Sequence, residues 1–177
     1  MRVLAFRKRL KISYVERSRN GMRISFDLDD TLFVSEETFK VEPALKFPFR
    51  KIYKERLRLG TVALLNDIRQ QGMELWVYTT SYRSEHYIRG LFHCYGIKFD
   101  GVVNGAKHAR EVQSGHMEAM PSKYPSKYRI DLHIDDDRSV AENGRTYGFH
   151  VFLVGGQDDD WTDKIRREIQ RIRLNYV

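Results

Sequence analysis

The stretch Arg23-Ile24-Ser25-Phe26-Asp27-Leu28-Asp29-Asp30-Thr31-Leu32 decides the fold. Ile24, Phe26 and Leu28 give it the β-prone character of a short strand, which runs directly into three carboxylates and a threonine. Asp27 and Asp29 share one strand face by their two-residue spacing. In an open α/β sheet, ligands bind at the carboxyl ends of strands, where these acids stand. Three acids within four residues repel one another, so gathering them there calls for a compensating cation.

Downstream, other apolar runs end in the same way. Glu74–Thr79 is nearly continuous in apolar and β-prone residues, as a buried parallel strand should be, and it runs into Thr79-Thr80-Ser81. Phe99–Val103 reads as a short third strand. Ile130–Asp135 reads as a fourth, followed by Asp136 and Asp137, and Phe149–Val154 as a fifth, stopped by Gly155-Gly156. Between them the spacing predicts helices over 62–71 with Thr61 as N-cap, over 83–94, and over 138–146. A final helix starts at Trp161, with Trp161, Ile165, Ile169 and Ile172 on one face. Residues 33–60 show no clear period beyond a short helix near 49–57. Residues 104–128, with Gly105, Gly115, Pro121 and Pro125, read as loops with little regular structure.

This alternation predicts an α/β fold: a three-layer, Rossmann-like parallel sheet with helices on both faces. At 177 residues, 41% hydrophobic and 31% charged, the composition is that of an ordinary globular chain with one domain, taken as 22–177 with a C-terminal helix at about 161–174. Residues 1–21 carry Arg2, Arg7, Lys8, Arg9, Lys11, Arg17 and Arg19 against Glu16, and read as a basic N-terminal extension. They lack the apolar core and cleavage site of a secretory signal. No run is long enough to span a bilayer. The single Cys94 excludes an internal disulfide and a multi-cysteine zinc site, and fits a reducing, cytoplasmic setting. The net charge of +7 favours anionic partners, from phosphorylated small molecules to nucleic acids, or simply describes a solvated basic surface.

The order Asp27-x-Asp29-x-Thr31, then Thr79 after an apolar strand, then a lysine, then Asp135-Asp136, resembles the haloacid dehalogenase-like hydrolase superfamily over residues 22–154. The resemblance implies a Mg²⁺-dependent phosphatase, with Asp27 as nucleophile and Asp29 as general acid and base. Crowding by neighbouring carboxylates would raise the pKa of Asp29 in the direction that role needs. It further implies that Thr79, or Thr80 if the strand ends one residue later, binds a phosphoryl oxygen. Asp136 would ligate the metal, with Asp135 behind it or joined through water. By the same resemblance, the side chain of Asp27 and the backbone carbonyl of Asp29 would complete the metal's protein ligands. Thr31 would brace the first loop.

For the phosphate-neutralising lysine, Lys123 in Pro-Ser-Lys-Tyr-Pro is the choice, because it precedes the acid pair by a short interval; Lys127 and Lys107 are the alternatives. Arg83, just past the hydroxyls, reaches either a phosphate or solvent. Neither interval between motifs leaves room for a substantial cap domain. An open site suits a bulky phosphorylated substrate or closure by a second subunit.

Other readings of the same residues weigh against this one. The acids of Asp135–Asp137 could cap a helix. A calcium loop starting at Asp27 fails because Leu32 stands where glycine is needed and Thr38 where glutamate is needed. A receiver domain carries its acid pair first, whereas here a pair comes last. Two functional alternatives remain: a non-catalytic module on the same fold that holds nucleic acid or an acidic protein, and a phosphotransferase whose acceptor is a hydroxyl other than water.

Overall fold

The computed structural model describes residues 21–117, 120–156 and 158–175. The basic stretch 1–21 therefore lies, but for Gly21, outside the described residues. Five parallel strands, β1 (Arg23–Phe26), β2 (Glu74–Tyr78), β3 (Gly101–Val103), β4 (Leu132–Asp135) and β5 (Val151–Leu153), form one sheet in the order β3-β2-β1-β4-β5. The chain moves outward from β1 through β2 to β3, then returns to the other side for β4 and β5. The carboxyl end of β1 thus lies where strand order reverses, the place where open α/β sheets form their binding crevice.

The strand alternation sorts the sheet's two faces. Ile24, Phe26, Leu75, Val77, Leu132 and Ile134 enter the main core. That core is completed by α2 (Thr61–Gln70), α3 (Glu85–His93) and α6 (Trp161–Leu174), through Leu64, Leu65, Ile68, Ile88, Leu91, Phe92, Ile165 and Ile169. Fully burying each such side chain contributes about 1.5–3 kcal/mol. On alternate positions, Ser25, Trp76, Tyr78 and His133 belong to the opposite face, where Tyr78, Val103 and Ile130 pack with Trp76 and Tyr128.

The segment expected to be loop between 104 and 128 contains α4 (Gly105–His108), a π turn (Ala109–Gln113) and a 3₁₀ turn (Pro125–Tyr128). Asn104 starts it, its side chain accepting from the Lys107 N–H at 2.9 Å. The expected helix near 49–57 is a single turn, α1 (Phe49–Ile52), and α5 spans Arg138–Tyr147. Thr61 is not the N-cap expected of it. It is the first helical residue and is buried, while Glu42 Oε1 accepts from the N–H groups of Gly60 and Val62, both at 3.0 Å. Among the described residues no helix is long and apolar enough to cross a membrane, and no substantial cap interrupts the sheet.

Candidate active site

Register brings the acids together. Phe26 pairs with Val77 on one side and Ile134 on the other, so the next residue, Asp27, emerges beside Tyr78 and Asp135. Its N–H donates to the Ile134 carbonyl at 2.9 Å, which continues the ladder by one bond. The following turn is tight: the N–H groups of Leu32 and Phe33 return to the Leu28 carbonyl, and Asp30 donates to the Phe33 carbonyl at 2.9 Å. Asp30 sits at φ 57°, a left-handed conformation that aspartate tolerates better than most residues. Its part is the geometry of the turn. None of these bonds ends on the Asp29 carbonyl.

Lys123 is buried and places its ammonium between two carboxylates, 2.6 Å from Asp135 Oδ2 and 3.0 Å from Asp27 Oδ1. The contact with Asp135 is a hydrogen bond; that with Asp27 is an ion pair outside hydrogen-bond geometry, so the buried Asp27 Oδ1 accepts no hydrogen bond. Burial alone would lower the lysine's pKa, but the two flanking acids outweigh it and raise it. Lys127 is exposed on the 3₁₀ turn. Lys107 donates to the Val102 carbonyl at 3.4 Å and lies over the Tyr128 ring. Of the three candidate lysines, Lys123 is the one in contact with Asp27.

A polar chain beneath the site went unrecognised in the sequence. Ser25 and His133 are register partners on β1 and β4, with Ser25 Oγ 2.8 Å from His133 Nδ1. His133 Nε2 lies 2.8 Å from Asp135 Oδ2. Burial drives the imidazole pKa down. The neutral ring then accepts from Ser25 at Nδ1 and donates from Nε2 to Asp135. Asp135 Oδ1 accepts from the Asp137 N–H at 2.9 Å, so both its oxygens are engaged. Burial would raise its pKa, but the hydrogen bonds from His133 and Lys123 hold it at about 2. Asp27 is the opposite case. Burial pushes it up to about 6, against the pull of Lys123 and with a further push from Asp135.

Asp136 accepts from Thr31 Oγ1 at 3.0 Å, which ties the second acid loop to the first. Its pKa is raised, by burial first and by Asp135 and Asp30 in addition. Oxygens of Asp27, Asp135 and Asp136 lie within 4.8 Å of one another. When ionised, these three carboxylates face the single positive charge of Lys123. A divalent cation with a preference for oxygen fits that imbalance and the unsatisfied Asp27 Oδ1.

Thr79 is buried just beyond β2; its N–H donates to the Val103 carbonyl at 2.9 Å and its Oγ1 accepts from the Ser81 N–H at 3.1 Å. The hydroxyl proton remains for an outside acceptor. Thr80 is exposed. The lysine loop is fixed from β2 as well: Tyr78 Oη accepts from the Tyr124 N–H at 2.8 Å and lies 2.7 Å from His108 Nδ1.

Asp29 stands apart from the other acids. Its side chain is half exposed and accepts from Arg83 Nη1 at 2.9 Å. Carboxylate crowding therefore does not describe its surroundings; a guanidinium does. Arg83 also donates from Nε to Glu55 Oε1 at 2.9 Å and from Nη1 to Ser81 Oγ at 2.8 Å. Glu55 accepts in turn from the Tyr87 hydroxyl. Arg83 reaches neither an open face nor solvent alone; it clamps the first motif loop to residue 55.

No family model matches the sequence, and no curated protein matches it. Solved structures do. A D,D-heptose 1,7-bisphosphate phosphatase from B. bronchiseptica, complexed with magnesium and phosphate, superposes with a TM-score of 0.54 at 12% identity, over 85% of this chain and 99% of that one. A predicted phosphatase from Clostridium acetobutylicum gives a TM-score of 0.53 at 15% identity, over 85% and 99%. A HAD-superfamily hydrolase from Geobacter sulfurreducens gives 0.52 at 12%, over 84% and 99%. The chain has the fold of the haloacid dehalogenase-like hydrolases.

Proposed function

We propose that the protein is a metal-dependent phosphatase that hydrolyses a phosphate monoester through an aspartyl-phosphate on Asp27. The observation that carries this reading is the buried Lys123 ammonium between Asp27 and Asp135 at the sheet's switch point, with Asp136 adjoining.

An Asp27 oxygen attacks phosphorus, a P–O bond forms, and the ester P–O bond breaks. Asp29 gives a proton to the leaving alkoxide, then takes one from the water that attacks the aspartyl-phosphate and frees inorganic phosphate. To carry that proton, Asp29 must part from Arg83. Lys123 offsets the charge of Asp27 and of the transferring group, and the Thr79 hydroxyl donates to a phosphoryl oxygen. Mg²⁺, held by Asp27, Asp136 and the Asp29 carbonyl with Asp135 bracing from behind, would supply the charge neutralisation that lets a carboxylate approach a phosphate. Uncatalysed phosphate monoester hydrolysis is so slow that such neutralisation and positioning must provide most of the acceleration.

Turnover of p-nitrophenyl phosphate with Mg²⁺ tests the proposal. Asp27→Asn should lose at least about a thousandfold in kcat while staying folded. Equal rates would end it.

A further inference from the structure

Residues 43–54 contain no acid and carry Lys46, Arg50, Lys51 and Lys54, all exposed. Among the described residues none of the four makes an ion pair; Lys51 instead lies 5.3 Å from the centroid of the Phe47 ring. Beside these cations Phe47 is 66% exposed and Phe49 46% exposed, unusual for phenylalanine on a free surface. Three tyrosines dock the segment's inner side on α3 and just beyond it. The Tyr53 ring meets Tyr87 edge-on at 5.1 Å, Tyr87 Oη lies 3.5 Å from the Ile52 carbonyl oxygen while its proton goes to Glu55, and Tyr95 Oη donates to the Pro43 carbonyl at 3.2 Å. The phenylalanines and cations are what the segment leaves outward.

Its position links it to the site. The chain leaves the Asp27 turn and returns to it: Arg58 N–H donates to the Leu32 carbonyl at 2.9 Å, and Val34 N–H to the Arg56 carbonyl at 3.0 Å. Glu55, next after Lys54, is joined through Arg83 to Asp29 by two contacts of 2.9 Å. On the other side of Arg83 in sequence, Tyr82 is 76% exposed. Aromatic rings beside unpaired cations, bordering a phosphate site, match the chemistry of a single strand, whose bases stack and whose backbone phosphates repeat.

We propose that residues 46–54 bind single-stranded nucleic acid, and that the substrate is the terminal phosphate of that strand. The proposal deepens the phosphatase reading and rests on it for the chemistry, not for the binding.

Binding is therefore measured in the Asp27→Asn background, by fluorescence anisotropy with a short oligothymidylate phosphorylated at one end. Phe47→Ala with Phe49→Ala should weaken it about tenfold or more, as the loss of stacked bases does elsewhere. Lys51→Glu with Lys54→Glu should weaken it similarly and flatten its salt dependence. With Asp27 restored, both pairs of substitutions should lower kcat/KM on the oligonucleotide and leave p-nitrophenyl phosphate turnover unchanged. Oligonucleotide binding unaffected by either pair would overturn the proposal. So would tighter binding of a phosphopeptide or of phosphatidylserine vesicles than of the oligonucleotide. Loss of all turnover with patch-dependent binding intact would instead sink the phosphatase reading alone.

Discussion

The Lys123 ammonium is held 2.6 Å from Asp135 Oδ2, and through that bond it is brought within 3.0 Å of Asp27. Asp135 is thus a support as much as an acid of the site: its other contacts, to His133 and to the Asp137 N–H, come from below and behind. Lys123→Met removes the cation and leaves two buried carboxylates facing each other. The variant should lose about 3 kcal/mol of stability or more in urea denaturation. A loss well under 1 kcal/mol would mean that the ion pairs do little for the fold.

His133 sits entirely inside that support. His133→Phe strips Asp135 of one donor and leaves the Ser25 hydroxyl without its acceptor, at a cost of about 1–3 kcal/mol. Removing both partners is cheaper than removing one, so Ser25→Ala in the same background should recover part of the loss. In turnover, His133→Phe should lower kcat more than it raises KM, because it misplaces Lys123 without touching substrate. Strictly additive stabilities for the two substitutions would contradict the hydrogen-bonded chain.

Asp27 makes the metal-free protein sensitive to pH. Its pKa lies above the ordinary 3.8, at about 6, so the stability it contributes is present in full below about pH 4 and is lost as pH rises through 6. The difference corresponds to about 3 kcal/mol. Asp135 has the opposite sign: held at about 2, its contribution is present above about pH 4 and lost as pH falls toward 2. The window between about 4 and 6 belongs to Asp27. In EDTA, the Tm of Asp27→Asn should rise relative to wild type by several degrees across that window, and Mg²⁺ should close the gap at neutral pH. A constant difference across the window would refute the assignment.

Gly90 places the 43–54 segment on α3. A Cβ there would stand 2.1 Å from the Tyr53 hydroxyl. Gly90→Ala would otherwise gain about 1 kcal/mol of helix propensity. It should instead destabilise, and a double-mutant cycle with Tyr53→Ala should give a coupling above about 1 kcal/mol. Additive effects would place Tyr53 elsewhere.

How far the sequence carried differs by feature, for physical reasons. The strands are legible because buried parallel strands are apolar runs; the later four are one to three residues shorter than their sequence suggests, although flanking residues still bond the neighbouring strand. Asp100 illustrates this. Asp100 precedes β3, its N–H donating to the Leu75 carbonyl and its carboxylate accepting from the Leu75 N–H. The acids at the ends of β1 and β4 were legible because the motif is local. What was not legible depends on partners far apart in the chain: Ser25 with His133, 108 residues on, and Asp29 with Arg83, 54 residues on. One signal was present. Ser25 and Asp27, like His133 and Asp135, alternate along a strand, which puts a polar row on one face of an otherwise apolar sheet. The helix start at Thr61 was misread because its cap, Glu42, comes from outside the local window.

The most direct test of the account is chemical trapping of the intermediate. The protein turning over a phosphate monoester with Mg²⁺ is quenched with borohydride, which reduces an acyl phosphate to an alcohol, and the modified residue is located by mass spectrometry. The account predicts homoserine at position 27, abolished in Asp27→Asn and absent without substrate. Reduction at another carboxylate, or sustained turnover with position 27 unmodified, would contradict it.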